Sequence, residues 1–246
     1  MFISDGNTKL LVDAGVSAAK ITNALCEIGV SPAELDAILV THEHSDHIAG
    51  IAVLTRKFGI PVYANEKTHS KIAVGSSKIS SEFVRSFITG EKFKIGSAEI
   101  RSFKTPHDSV ESVGYTVVME DKKIAVATDT GCITKPMLGA LAGCDAVLIE
   151  SNHDVGMLTK GDYPYILKNR ILSDNGHLSN ENCAWLATQL AIWGTTHITL
   201  GHLSDNNNTY EKAYSATEKM LLDNNFKVGE DVILQVASKS EITEII

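Results

Sequence analysis

No C-x-x-C pair occurs in this sequence of 246 residues. Its four cysteines, Cys26, Cys132, Cys144 and Cys183, are scattered, so neither a zinc knuckle nor a redox dithiol is indicated and reduced thiols are expected. No apolar run approaches the roughly 20 residues of a membrane span, and residues 1–6 contain no basic stretch leading into an apolar one. We therefore expect a cytoplasmic protein with no membrane partner.

The sequence also has fewer basic than acidic residues. The chain has 22 Lys and Arg against 30 Asp and Glu, which gives a net charge of -8. This charge argues against general electrostatic adhesion to nucleic acid. If the substrate is a polyanion, its attraction to the protein must be local, and bound divalent cations would offset part of the negative charge.

Short apolar strands alternate with amphipathic helices almost to the end of the chain, without repeats or low-complexity linkers. This alternation predicts an α/β fold, with antiparallel pairing over residues 93–127 and two packed sheets covered by helices. The length fits one large domain over residues 1–246. The predicted strands cover 10–12, 37–40, 61–64, 93–95, 99–104, 113–119, 123–127, 146–149, 198–200 and 232–236, and the predicted helices include one capped by Ser17, one starting at Ile48, and those at 136–142 and 181–193.

Residues 42–47 read His-Glu-His-Ser-Asp-His and fill the turn between the strand at 37–40 and the helix at Ile48. Three imidazoles and two carboxylates this close crowd one another unless something holds them. A pair of metal ions is the interpretation that we favour. The rival interpretation is a solvated polar loop.

Potential ligands also follow three other strands, at His107, Asp129 and His202. Strand ends on one edge of a sheet are places where loops converge on a site, and mixed imidazole and carboxylate donors suit Zn²⁺, Mn²⁺ or Fe²⁺. Each of these residues taken alone is also compatible with turn chemistry. His177 and His202 compete for the last ligand position, since both lie in Gly-His-Leu-Ser, and we choose His202 because a strand precedes it.

The pattern H-x-H-x-D-H, followed by a His, an Asp and a last His after strands, resembles the metallo-β-lactamase superfamily over nearly the whole chain. The resemblance implies an αββα sandwich of two packed mixed sheets with outer helices, and two divalent metal ions, Zn²⁺ or Mn²⁺. By this resemblance one ion is held by His42, His44 and His107, the other by Asp46, His47 and His202, and Asp129 bridges them.

Two metals would lower the pKa of a bridging water from 15.7 toward about 7, and the resulting hydroxide would be the nucleophile. Asp46 is predicted to take part in catalysis as well as in binding. Asp13 and Asp108 are candidates for orienting the ligand imidazoles, although an Asp near a Gly is as often a turn former.

Residues 148–154 and 176–181 resemble the strand-end Glu and the Gly-His-Ser/Thr loop of ribonuclease Z and related phosphodiesterases, and look closest to the YycJ (WalJ) subgroup, whose members are associated with nuclease activity on DNA. The resemblance implies that His177 is the general acid for the leaving oxygen and that Glu150 orients it. A capping loop before the helix at 181–193 would also explain His177.

The chain departs from the family at its start, where a Ser/Gly-rich strand ending Ser-Gly-Asn is usual and this sequence begins Met-Phe-Ile. We expect that strand to be missing or short, which leaves its contacts to a substrate phosphate open. No inserted domain of the ribonuclease J kind is present, so long RNA is less favoured. Asn152 and His153 either line the site or form a local turn, and Trp185 and Trp193 are predicted to pack in the core.

The sequence thus predicts a dinuclear metal-dependent phosphodiesterase or nuclease. Its expected substrate is nucleic acid, and DNA is favoured over RNA. Hydrolysis of a small ester, thioester, lactam or cyclic phosphodiester on the same metals is the alternative. A metal-stabilised scaffold without turnover is a third hypothesis, which loss of ligand residues would favour. Metal identity, endo- versus exonuclease action and oligomeric state are left open.

Overall fold

The computed structural model describes residues 1–75 and 78–245 of the chain. Its strands are β1 (Phe2–Ser4), β2 (Lys9–Val12), β3 (Ala37–Leu39), β4 (Val62–Asn65), β5 (Val84–Phe87), β6 (Lys92–Ile95), β7 (Ala98–Lys104), β8 (Val113–Met119), β9 (Lys122–Ala127), β10 (Ala146–Glu150), β11 (His197–Gly201) and β12 (Ile233–Val236). Its α-helices are α1 (Ala18–Glu27), α2 (Ser45–Ile48), α3 (Ile51–Phe58), α4 (Glu66–Val74), α5 (Lys135–Leu141), α6 (Val155–Lys160), α7 (Tyr165–Leu172), α8 (Asn180–Ile192) and α9 (Tyr210–Asp223).

The strands form two mixed sheets, one of five strands in the order β1-β2-β3-β4-β5 and one of seven in the order β12-β11-β10-β9-β8-β7-β6. In the five-stranded sheet β1 pairs antiparallel with β2, and the pairs from β2 to β5 are parallel. In the seven-stranded sheet β9, β10, β11 and β12 pair in parallel, whereas β6 and β7 are antiparallel. The α/β class and the two mixed sheets are therefore confirmed.

The chain forms two compact units, each with its own hydrophobic core. The first unit comprises Met1–Ser102, Ser109–Val113 and Val117–Asp121, and the second comprises Phe103–Asp108, Gly114–Thr116 and Lys122–Ile246. Both cores consist mainly of aliphatic side chains that are removed from water, which supplies most of the favourable free energy of folding. One domain over residues 1–246 stays a prediction.

The core of the first unit includes Leu11, Ile38, Ile51, Leu54 and Val62. The core of the second unit includes Met137, Ile149, Leu186, Ile198 and Leu234.

Local signals in the sequence place several helix ends correctly. The Ser17 side chain accepts a hydrogen bond from the backbone N–H of Lys20 at the start of α1, as expected of an N-cap. Gly59 ends α3 at φ +73°, a left-handed conformation that glycine adopts without a steric penalty.

Some elements differ from the prediction. The helical turn α2 begins at Ser45, inside the His-rich segment, rather than at Ile48. The strand β5 and the helices α6, α7 and α9 were not predicted. The N-terminal strand, expected to be missing or short, is the three-residue β1. Helix α9 buries Ala213, Thr217 and Leu221, a stripe too poor in large apolar residues to indicate an amphipathic helix.

The prediction that Trp185 and Trp193 pack in the core is wrong, because they are 42% and 41% exposed. Trp185 lies on the same face of α8 as Gln189 and Ile192, at helical spacing, and this face points to solvent. The opposite face is buried and consists largely of small residues such as Ala184 and Ala187. Over residues 1–75 and 78–245, no helix is both long enough and apolar enough to cross a bilayer.

Candidate active site

In the first unit, three histidines that the sequence predicts as metal ligands cluster where β3 ends. The imidazole centroids of His42 and His44 are 4.5 Å apart, and those of His42 and His47 are 4.1 Å apart. His42 and His47 are buried, whereas the Asp46 side chain is 66% exposed. The segment from His42 to His47 is thus a compact group of nitrogen donors with a carboxylate beside it, and we call it the first donor group.

Asp13 and Thr41 fix the direction of two of these imidazoles. Asp13 accepts hydrogen bonds from the Thr41 backbone N–H and from the Thr41 hydroxyl, both at 2.8 Å, and its Oδ2 lies 2.8 Å from His47 Nδ1. Because the Thr41 hydroxyl donates to Asp13, it is left to accept from His42 Nδ1 at 3.0 Å. With Nδ1 engaged, both His42 and His47 would bind a metal through Nε2.

Gly15 allows the chain to pass close to this group. A Cβ atom at Gly15 would come within 1.6 Å of the Asp46 carbonyl oxygen. Next to it, the Ala14 backbone N–H donates to the His47 carbonyl at 2.8 Å. The segment that carries Asp13 is therefore held against α2, and any larger residue at position 15 would push Asp46 away.

In the second unit, Asp129 lies between two predicted metal ligands. Its Oδ1 is 3.6 Å from His107 Nε2 and 3.6 Å from His202 Nε2. These separations are longer than a hydrogen bond, and two ligands of one tetrahedral Zn²⁺ lie about 3.3 Å apart. The position of Asp129 between two imidazoles thus fits a carboxylate shared by two ions.

Glu150 binds both of the histidines that compete for the last ligand position. Its Oε1 lies 2.8 Å from His177 Nδ1 and 2.7 Å from His202 Nδ1. Its Oε2 accepts hydrogen bonds from the backbone N–H groups of Thr130 at 2.9 Å and Leu178 at 3.2 Å. The carboxylate is buried and is held by donors on two sides.

Donor atoms of Asp129, Glu150, His177 and His202 all lie within 4.8 Å of one another. We call these four residues and His107 the second donor group. His107 Nδ1 lies 3.1 Å from the Gly176 carbonyl oxygen, so His107, like His202, has Nδ1 engaged and would bind a metal through Nε2. Imidazole nitrogens and carboxylate oxygens in this arrangement fit Zn²⁺ or Mn²⁺.

The charges around Glu150 shift two pKa values in opposite directions. Burial alone would raise the pKa of Glu150, but its hydrogen bonds to His177 and His202 outweigh burial and hold that pKa well below its usual range. Burial opposes the charging of His177, and the Glu150 carboxylate outweighs it, so the pKa of His177 lies above its usual value. For His107, burial prevails and its pKa is lowered.

Three of the predicted site residues have a left-handed backbone, which is unusual for residues other than glycine. The φ angles of Asp13, Asp129 and His202 are +58°, +55° and +57°. Such conformations cost free energy, and they persist where the surrounding structure determines them, often at functional sites. Asp13 and His202 directly follow the strands β2 and β11, and Asp129 lies two residues after the end of β9. The turn at each strand end sets the direction of the side chain.

A buried polar network, which the sequence did not predict, adjoins the second donor group. The Asn180 and Asn208 side-chain amides donate to each other at 2.8 Å in both directions, and the Ser151 hydroxyl donates to Asn180 Oδ1 at 2.8 Å. The Asn152 side chain donates to the His202 carbonyl at 2.9 Å. No sequence pattern announces the Asn180–Asn208 pair, because 28 residues separate its members.

Asp108 and His153, which the sequence also indicates as possible neighbours of the site, both lie in the second unit. Asp108 Oδ1 is 3.4 Å from His107 Nε2, and its other oxygen pairs with Arg170. His153 is 1% exposed, and neither ring nitrogen has a hydrogen-bond partner among the described residues. Burial lowers the pKa of His153, which favours the neutral ring. The assignment of individual site residues stays a prediction.

Two mixed sheets with histidine and aspartate donors at strand ends define a fold of the metallo-β-lactamase type. The family model described as "Beta-lactamase superfamily domain" matches residues 8–229. The chain belongs to this superfamily. The predicted resemblance is thereby confirmed.

Two curated relatives cover most of the chain. The chain is 43% identical over 232 residues to the exodeoxyribonuclease WalJ of Streptococcus pneumoniae, covering 94% of this chain and 86% of that protein. It is 41% identical over 235 residues to the exodeoxyribonuclease YycJ of Bacillus anthracis, covering 94% and 87%. The predicted similarity to the YycJ (WalJ) subgroup is confirmed.

A solved structure shares the fold at much lower identity. The metallo-β-lactamase fold protein YhfI of Bacillus subtilis matches with a TM-score of 0.70 and 18% identity, covering 98% of this chain and 88% of that chain. This similarity concerns the fold alone. It confirms that the arrangement of strands and helices is that of the metallo-β-lactamase fold.

Asp13→Asn is expected to weaken binding of a divalent metal about 10- to 100-fold, because the group behind a metal-binding imidazole fixes its tautomer and basicity. The measurement is a Zn²⁺ titration in competition with a chromophoric chelator. Glu27→Gln, which changes an exposed carboxylate of α1, is the matched control. Equal affinities of wild type and Asp13→Asn would show that Asp13 does not support His47.

Glu150→Gln is expected to move the titration of His177 to lower pH. Burial lowers the pKa of His177 and the Glu150 carboxylate raises it, so loss of the charge should bring the pKa from above 6.5 to below that value. The measurement is an NMR titration of the imidazoles in metal-free protein, with Glu181→Gln as a control on the exposed start of α8. An unchanged His177 titration in Glu150→Gln would contradict the coupling.

Proposed function

We propose that this chain is a metal-dependent phosphodiesterase that degrades DNA as an exonuclease. The observation that supports the proposal most is the contact between Glu150 and His177 next to Asp129 and His202, which is the arrangement expected of a proton donor beside a metal centre. The names of the relatives that are 41–43% identical over 94% of the chain support DNA as substrate and exonuclease action.

His177 acts as the general acid. Because an ionised carboxylate only accepts hydrogen bonds, the contact with Glu150 requires a hydrogen on His177 Nδ1, so Nε2 is the atom that delivers a proton to the leaving oxygen. The raised pKa of His177 keeps a larger share of the ring protonated near neutral pH. Glu150 orients the ring and stabilises its charge.

Asp129 and the neighbouring imidazoles hold the metal. Divalent ions at such a site activate water and stabilise negative charge on the phosphate. Following the family resemblance, we propose His42, His44 and His107 as ligands of one ion, Asp46, His47 and His202 as ligands of a second, and Asp129 as their bridge. Zn²⁺ and Mn²⁺ both suit these donors.

The remaining parts of the proposal are the cytoplasm as location, hydroxide as nucleophile and a catalytic role for Asp46. They follow from the sequence and stay predictions. Hydrolysis of a small ester, thioester, lactam or cyclic phosphodiester on the same donors is the competing hypothesis. The role of His177 separates the two: the phosphodiesterase uses it to protonate the sugar oxygen that leaves the phosphorus, whereas the ester hydrolase is expected to need Asp129 and to be little affected at His177.

The test uses protein loaded with Mn²⁺ or Zn²⁺ and a panel of end-labelled DNA, RNA of the same sequence, bis-p-nitrophenyl phosphate and p-nitrophenyl acetate. We expect shortening of DNA from an end. His177→Ala should lower kcat on DNA by about 10²- to 10⁴-fold. It should affect bis-p-nitrophenyl phosphate much less, because p-nitrophenolate leaves readily without a proton. Asp129→Ala should abolish activity on both substrates.

His197→Ala, at the start of β11, is the matched histidine control and should behave like wild type. Failure of both metal forms to cleave any nucleic acid or bis-p-nitrophenyl phosphate would refute the proposal. Hydrolysis of p-nitrophenyl acetate that needs Asp129, with nucleic acids and bis-p-nitrophenyl phosphate left intact, would favour the ester hydrolase instead.

A further inference from the structure

The helix α7 buries none of its eight residues, all of which the structure describes. Ile166 is 83% exposed, Tyr165 is 77% exposed, and Leu172 at the end of the helix is 44% exposed. Scattered apolar side chains on a surface need no explanation, but adjacent ones on a helix without a buried face do. This helix therefore gains little free energy from packing, and its apolar side chains are available to a partner.

The C-terminal end of α7 is fixed beside the proposed general acid. The His177 backbone N–H donates to the Ile171 carbonyl at 3.0 Å, and Arg170 pairs with Asp108. Gly176 lies so close to this end that a Cβ atom there would come within 2.3 Å of the Arg170 and Ile171 carbonyl oxygens. The end of α7 therefore cannot move far from His177.

The other end of the segment is tied to the loop that follows His202. Asn206 donates a hydrogen bond to the Tyr163 hydroxyl at 2.9 Å, just before α7 begins. Lys168 of α7 donates to the Thr159 carbonyl of α6 at 2.8 Å. The segment that carries Tyr165 and Ile166 is thus tied at one end to the loop after His202 and at the other end to the loop that carries His177.

The charge of this segment differs in sign from that of the chain. Residues 155–172 contain three basic side chains, Lys160, Lys168 and Arg170, and one acidic side chain, Asp162, a formal charge of +2 in a chain of net charge -8. Because Arg170 pairs with Asp108, the basic side chains that can serve a polyanion here are Lys160 and Lys168. A local positive charge is what a polyanionic substrate requires of an acidic protein. The same charge disfavours a second copy of α7 as the occupant, because like charges would face each other.

We propose that α7 receives the nucleic-acid strand of the substrate, with Tyr165 and Ile166 packing against unpaired bases and Lys160 and Lys168 lying along the phosphates. Aromatic and apolar platforms beside positive charge bind single strands without sequence preference. The inference rests on the proposed nuclease function. It assigns to α7 the task of holding the strand end whose phosphodiester meets His177.

The test compares Tyr165→Ala/Ile166→Ala with Ile192→Ala/Leu222→Ala, which removes two apolar side chains that are each 52% exposed elsewhere in the second unit. The readouts are the Kd of Mn²⁺-loaded protein for a fluorescein-labelled single-stranded phosphorothioate DNA, measured by anisotropy, and KM and kcat on ordinary DNA. We expect the α7 variant to raise Kd and KM about 5- to 100-fold, with kcat at saturation changed less than about twofold. Tyr165→Phe should keep wild-type affinity, because stacking does not need the hydroxyl.

A second measurement uses wild-type protein, so it does not depend on the folding of a variant. DNA containing 5-iodouracil is expected to cross-link to a peptide within residues 155–172 on irradiation. Cross-links confined to other peptides, or an unchanged Kd in the double variant, would overturn the proposal.

Loss of self-association in the double variant with an unchanged Kd for DNA would overturn it too, and would identify a second copy as the occupant. If wild type cleaves DNA and the α7 variant binds it equally well, only the role of α7 fails. If wild type neither binds nor cleaves DNA, the proposed function fails first.

Discussion

One buried carboxylate, that of Glu150, determines the geometry of the second donor group. It accepts from the imidazoles of His177 and His202 through one oxygen and from the backbone of Thr130 and Leu178 through the other. A buried charge is tolerated only when it is paired and hydrogen-bonded, so each of these donors must keep its place. Because the carboxylate requires a hydrogen on both Nδ1 atoms, Nε2 is the ring nitrogen that would bind a metal in His202 and would donate a proton in His177 under the proposed function.

In the first unit, the Asp13 carboxylate orients imidazoles as Glu150 does in the second unit, but with different partners. It is held by the Thr41 backbone and hydroxyl and binds His47 Nδ1, while the same hydroxyl accepts from His42. Gly15 and the left-handed backbone of Asp13 bring this carboxylate to the donors. In both units, a carboxylate at the end of a strand fixes the tautomer of the imidazoles, and the sheet supplies the rigid base from which it acts.

The parts of the fold that could be predicted from the sequence are those with local signals. Alternating and continuous apolar runs indicated most strands, including β7, β8 and β9, within one or two residues. Helices whose buried stripe is small, such as α9, or absent, such as α7, gave no periodic signal. The burial of Trp185 could not be predicted from its residue type. Its exposure depends on which face of α8 packs inward, and Trp185 lies on the face that points to solvent.

For the candidate site, the sequence indicated candidate donor residues but not the hydrogen bonds that connect them. Donor types and strand-end positions indicated candidate ligands, which stay predictions. The sequence linked Glu150 to His177 alone, whereas the structure joins it to His202 as well. Contacts across 50 or more residues leave no local trace, and the same holds for the amide pair of Asn180 and Asn208.

The most direct test of the role of Glu150 is the tautomer of the two imidazoles that it binds, read from ¹⁵N chemical shifts and long-range ¹H–¹⁵N correlations of Zn²⁺-loaded protein. The account predicts a hydrogen on Nδ1 of both His177 and His202, with Nε2 of His202 bound to metal. A hydrogen on Nε2 of His202, or a neutral His177 protonated only at Nε2, would contradict it.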